Sequence, residues 1–155
     1  MEQVCTRVFN QIRVGVDSIQ VIMEQLSEVD LDYRFTPDKR SVRELLSHIS
    51  ILCRADFLIM NEATQEQMSA FYKDHSVYDL QGMETQLQLN FEFVKEAFAA
   101  YSEEELSEIK RSYWGVSYSR YEWLLQILGH VYHHRAQLHT MLVAKGAVVK
   151  VNLFE

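Results

Sequence analysis

Long stretches with apolar residues at steps of three and four, almost unbroken by proline or glycine, leave this chain few ways to fold. Residues 2 to 28 place Val4, Phe9, Ile12, Val16, Ile19, Ile22, Met23 and Leu26 on one stripe, the period of an amphipathic helix. A single proline and five glycines in 155 residues supply too few turn residues for an all-β fold. The proline, Pro37, interrupts LDYRFTPDKRS, where it stops any incoming helix and pushes Thr36 towards extended geometry.

Helix starts are marked by side chains that cap free backbone N–H groups. Ser41 and Glu44 have the S-x-x-E capping-box spacing, which predicts a second helix from there to about residue 62. The weaker pattern of 63–78 predicts a connection with some local helix. A third helix follows over about 79–101, with Leu80, Met83, Leu87, Leu89, Phe91, Val94 and Phe98 as its apolar positions. Ser102 and Glu105 repeat the capping spacing in an acidic turn. RSYWGVSYS then favours a loop or small hairpin around Gly115. Ser119 and Glu122 open a fourth helix over about 120–145, with Gly146 as its C-cap. The tail AVVKVNLFE is β-leaning and fits either packing on the helices or meeting a partner. The expected fold is therefore all-α, a four-helix bundle in one domain over 1–155, with a short loop or hairpin before the last long helix.

A net charge of −7 argues against nucleic-acid binding, which needs a basic excess. No apolar run is long enough to span a bilayer, so no membrane association is expected. The first twenty residues carry charge throughout and do not resemble a signal peptide. Cys5 and Cys53 have neither metal-ligand nor disulfide-framework spacing. A reduced, cytoplasmic setting is expected.

Four of the six histidines fall in GHVYHHRAQLH, residues 129–139. At 100° per residue His130 and His134 lie about 40° apart on the apolar side of the fourth helix, with Trp123, Ile127, Gln137, Leu138 and Met141. His133 falls on a flank, and His139 falls opposite, beside Tyr132 and Arg135, where exposure is expected. His48 shares an apolar face of the second helix with Leu45, Leu52, Ala55 and Ile59. Two imidazoles at i and i+4 can hold one metal ion, and His48 would complete a three-histidine set with open positions. Hydrogen-bonded core histidines satisfy the same spacing. The H-E-x-x-H protease motif is excluded, because Val131 stands where its glutamate would be. His75 lies in the connection and is the weaker alternative.

The motifs SVRELLSHI at 41–49 and GHVYHHRAQL at 129–138 together resemble the DinB/YfiT-like superfamily. That resemblance implies a four-helix bundle binding a divalent metal through His48, His130 and His134, with His133 preceding a ligand. The metal could be zinc, nickel, iron or manganese, because imidazole ligands suit several metals and availability decides among them. Ala136 departs from the glycine that many members have after the arginine. The resemblance further implies a small-molecule substrate, a homodimer, and one of two chemistries. One is transfer of a low-molecular-weight thiol such as bacillithiol, or isomerisation with mycothiol; the other is metal-dependent hydrolysis. A different class stays open: a stress-associated or interaction protein whose metal is structural or vestigial.

Asp56 and Glu44, near His48 on the wheel, and Gln137, one turn from His134, are candidate partners for the imidazoles. Glu44 already has its capping role. Arg135 projects away from the pocket, towards a surface or interhelical ion pair. Trp123 suits a core aromatic better than a pocket wall. Tyr113, Trp114, Tyr118 and Tyr121 suit either a pocket cap or a dimer contact. Cys53, about 140° from His48, reads as a buried small hydrophobe.

Overall fold

The structure, a computed structural model, describes residues 3–154. Its elements in chain order are α1 (Gln3–Met23), α2 (Glu28–Leu31), α3 (Val42–Met60), α4 (Gln65–His75), α5 (Leu80–Ala99), α6 (Glu103–Ser107), β1 (Ile109–Arg111), β2 (Ser117–Ser119) and α7 (Arg120–Lys145). The four long helices α1, α3, α5 and α7 are the expected bundle. α1 and α3 each pack on both α5 and α7, so the four form a square with α1 and α3 across the diagonal. Phe9, Ile12 and Ile19 of α1 meet Leu45 and Leu52 of α3, Phe91 and Phe98 of α5, and Leu124 and Leu138 of α7 in one buried core.

The capping boxes form where the spacing places them. Ser41 Oγ accepts from Glu44 N–H at 3.2 Å, and Glu44 returns a carboxylate to Ser41 N–H at 2.8 Å. Ser119 and Glu122 do the same at the start of α7. Gly146 closes α7 at φ 94°, a left-handed conformation that glycine adopts without a Cβ penalty.

Three details differ from expectation, and the tail takes one of its two expected courses. The first helix ends at Met23 rather than near 28, because Ser27 caps the separate α2 with Asp30. The connection at 63–78 holds a full helix, α4, whose start is a T-x-x-Q box of Thr64 and Gln67. It buries only Met68 and Phe71, which is why its stripe is faint in the sequence. Leu89 is 61% exposed and Val4 45% exposed; Leu89 lies two residues from Leu87, on the other side of the helix. The tail packs on the bundle through Ala147, Val149 and Val151, pinned by two hydrogen bonds between Gln25 and the Lys150 backbone.

The expected hairpin is present, with Ile109 paired to Ser119 and Arg111 to Ser117. Trp123 anchors it, being buried and donating Nε1–H to the Lys110 carbonyl at 3.1 Å. The rings of Trp114 and Tyr118 meet Trp123 edge-on. Among the described residues no helix is long and apolar enough to cross a membrane.

Candidate metal centre

α3 and α7 are neighbours, and each turns a histidine-bearing face towards the other. His134 Nε2 lies 3.1 Å from His48 Nε2 and 3.0 Å from His130 Nε2. The three residues form a group in which one ligand atom from each lies within 4.8 Å of the others. Two nitrogens bound about 2.0–2.1 Å from a tetrahedral ion stand about 3.3 Å apart, so the observed spacings suit a shared cation.

The outer ring nitrogens decide what the inner ones can do. His130 Nδ1 donates to Asp56 Oδ2 at 2.8 Å, and His134 Nδ1 donates to Gln137 Oε1 at 2.9 Å. Both oxygens are acceptors only, so in each neutral ring the proton sits on Nδ1 and the lone pair on Nε2. The 3.0 Å contact between His130 and His134 is then lone pair against lone pair, and an electropositive centre between them relieves the repulsion. The donor set thus fits a divalent metal, with hydrogen-bonded outer nitrogens of the kind that orient metal-ligating histidines.

Burial keeps two of the rings neutral. It pushes His48 down to about 3, helped by the positive charge of Arg40 and by the His134 and His130 rings. It also pushes His134 down to about 4, against the opposing hydrogen bond to Gln137 and with smaller contributions from His130, His133 and Arg40. Neutral imidazole is the form that ligates metal.

A cleft of about 430 Å³ opens beside the group, lined by His48, Arg34, Arg40, Tyr72 and Tyr78 among others. A second pocket, about 300 Å³, lies along α7 and is lined by Phe35, His133, Ala136, Gln137, Thr140 and Met141, with Lys39 bordering both spaces. Burial and neighbouring Asp56 and Tyr113 push the Tyr72 phenol upward, so it stays protonated.

His48, His130 and His134 are therefore brought together, and Asp56 and Gln137 stand behind two of them. Glu44 lines the cleft but bonds none of the three imidazoles, being held by its cap and by Arg34 at 2.9 Å. His75 stacks on Phe71 and bonds its carbonyl, outside the group. His133 is exposed and His139 half-buried, the reverse of the wheel's order, because α7 is covered on more than one side. Arg135 points away from the group as expected but is buried, 4% exposed. It donates to Ser18 Oγ of α1 at 3.2 Å and lies over the Tyr132 ring, an interhelical hydrogen bond in place of an ion pair. Cys53 is buried, and burial pushes its thiol up to about 12, an unreactive state. Arg40 and Tyr72 carry no signal in the sequence, since neither shares a helix or a motif with His48, His130 or His134.

A helical bundle with three converging imidazoles on facing helices defines a class of protein able to hold a divalent metal between helices. The sequence matches the profile of the DinB family over residues 1–151, and the chain belongs to that family. Among solved structures, an Exiguobacterium sibiricum protein assigned to the DinB family superposes with a TM-score of 0.84 at 30% identity, covering 99% of each chain. A DinB-like protein from Bacillus cereus gives 0.73 at 14% identity over 94% of this chain and 95% of that one. A mycothiol-dependent maleylpyruvate isomerase gives 0.66 at 12% identity over 86% of this chain and 60% of the other, a likeness of fold alone. Nothing matches among curated protein sequences.

Proposed function

We propose that this protein is a divalent-metal-dependent enzyme, with His48, His130 and His134 as the ligands and a small molecule as substrate. The observation that carries the proposal is the pair of Nδ1 donors, to Asp56 and Gln137, that aims two Nε2 lone pairs at one point. Three imidazoles leave coordination positions open, as catalytic rather than structural sites do, and the adjoining cleft supplies room for a substrate. A divalent cation held there supplies Lewis acidity that lowers the pKa of a water or a thiol at neutral pH.

This chain's own residues then have separable tasks. Asp56 and Gln137 hold two rings in the ligating tautomer, and the buried walls keep His48 and His134 unprotonated. Tyr72, protonated and lining the cleft, can donate a hydrogen bond to a bound substrate. Of the two chemistries, thiol transfer is favoured over hydrolysis, supported by the fold shared with a mycothiol-dependent isomerase. The functional unit is proposed to be a homodimer using a low-molecular-weight thiol.

Elemental analysis of the purified protein tests the metal directly. About one divalent ion per chain is expected, lost in His48→Ala and in His130→Ala; stoichiometric metal in both variants would overturn the ligand assignment. Metal-loaded protein is then assayed with bacillithiol or mycothiol and a model electrophile such as monochlorobimane. Thiol-dependent conjugation above the chelated control is expected. Hydrolysis of activated esters or amides without any thiol effect would replace transfer with hydrolysis.

A further inference from the structure

The loop between α2 and α3 and the first turn of α3 are rich in cations, and nearly all are neutralised locally. Arg34 pairs with Glu44 at 2.9 Å, Lys39 lies 3.5 Å from Asp38, and Arg43 holds Glu28 at 2.9 Å and Asp32 at 3.1 Å. Arg40 differs: among the described residues no carboxylate pairs with it. It lines the same cleft as His48 and Tyr72, and its charge is felt by His48, Tyr72 and His134, groups on three different helices. The guanidinium therefore belongs to the wall of the same cleft as His48. In a chain of net charge −7, an uncompensated cation at the mouth of a cleft concentrates anions against the overall repulsion. The planar guanidinium fork matches a carboxylate with two parallel hydrogen bonds.

Across Lys39 from this polar cleft lies the second pocket, walled by Phe35, Ala136 and Met141. It also touches Gln137, the residue bonded to His134, so the histidine group stands at the border of the two spaces. A pocket of about 300 Å³ is at the small end of ligand sites and suits a single ring or short aliphatic group.

We infer that the substrate taken here carries a carboxylate gripped by Arg40 and an apolar body seated in the Phe35–Met141 pocket. This deepens the proposed function, resting on the reading of the histidine group as a site that receives a small molecule.

The test uses 3-phenylpropionate and its neutral amide, 3-phenylpropanamide, titrated into the full chain and followed by NMR or calorimetry, both zinc-loaded and after EDTA treatment. The acid is expected to bind at least about tenfold more tightly than the amide in both preparations, the worth of a charge-assisted pair. Arg40→Gln, at an exposed position, should bring that ratio close to one with metal stoichiometry unchanged. Ala136→Trp, also exposed, should fill the pocket and weaken acid and amide alike by about fivefold while preserving their ratio. Equal binding of acid and amide to the wild type overturns the inference. So does a preference that survives Arg40→Gln, since the carboxylate then sits elsewhere, or an Ala136→Trp variant that binds both probes as the wild type does. Failure of the metal reading shows separately as absent zinc, and leaves the EDTA-treated comparison of acid with amide intact.

Discussion

Asp56 sits on α3, two turns from His48, yet its hydrogen bond goes to His130 on α7. The carboxylate therefore ties the outer edge of one imidazole to the helix that carries another. Replacing a hydrogen-bonded partner of a metal-ligating histidine usually weakens the metal by about 10–100-fold. Asp56→Ala should lower zinc affinity by that factor in competition with a chromophoric chelator, whereas Asp56→Asn, which keeps an acceptor oxygen, should lose less. Affinity unchanged in Asp56→Ala would show that the ring needs no such support. Several of these residues are legible in the amino-acid sequence itself. The i, i+4 spacing marks His130 and His134, the apolar face marks His48, and helical offsets bring Asp56 and Gln137 under consideration. Arg40 is not legible, because it lies in an irregular segment with no period to say where its side chain goes. His139 misleads for a related reason: a wheel gives relative angles on one helix, while exposure depends on what packs around it.

At the scale of elements, the long helices announce themselves because each repeats its apolar stripe over five turns or more, and S-x-x-E boxes mark the starts of α3 and α7. α4 does not, because two buried side chains make too short a pattern. How closely two helices approach is equally invisible in a stripe. A Cβ on Gly15 of α1 would stand 2.8 Å from Val131 Cγ1 and 3.1 Å from Tyr132 Cε2 of α7, so this glycine sets the contact between those helices. Gly15→Val should destabilise the fold by about 2 kcal/mol through overpacking, read as a lower urea midpoint with an unchanged slope; an unchanged midpoint would mean that α1 shifts freely. A second fastening joins α2 to the last turn of α7, where Lys145 donates to Asp30. That bond, together with those from the Ser27 hydroxyl and backbone N–H, holds the Asp30 carboxyl down at about 2 from an ordinary 3.8. The folded state thus refuses a proton that the unfolded chain accepts. The stabilisation is complete above about pH 3.8 and disappears as pH falls towards 2. Because the pair is partly solvated, about 1 kcal/mol or less is at stake. Asp30→Asn should remove it at neutral pH and flatten that part of the acid unfolding curve, and a curve of wild-type shape would assign the acid sensitivity to other groups.

Across the whole molecule, periodicity supplies four amphipathic helices but not which of them are neighbours, and the site depends on that choice. His48 meets His130 and His134 only because α3 lies beside α7 in the square. The SVRELLSHI and GHVYHHRAQL motifs bridge that gap through family resemblance, since no property of either segment alone pairs them. The same arrangement has a thermodynamic consequence. A cation held by one residue of α3 and two of α7 binds the native chain and has no comparable site in the unfolded one, so it must stabilise the fold. Free zinc at about 100 times its dissociation constant adds about 2.7 kcal/mol. For a domain of this length each kcal/mol moves the melting temperature by about 2–4 °C, so a rise of about 5–10 °C is expected over EDTA-treated protein in a calorimetric scan. His48→Ala should abolish most of the rise, because it cuts the link between the helices while leaving the i, i+4 pair on α7. A rise that persists in His48→Ala would assign the stabilisation to His130 and His134 alone and remove α3 from the site. No rise in the wild type would return the three histidines to the core, as a buried polar cluster without a metal.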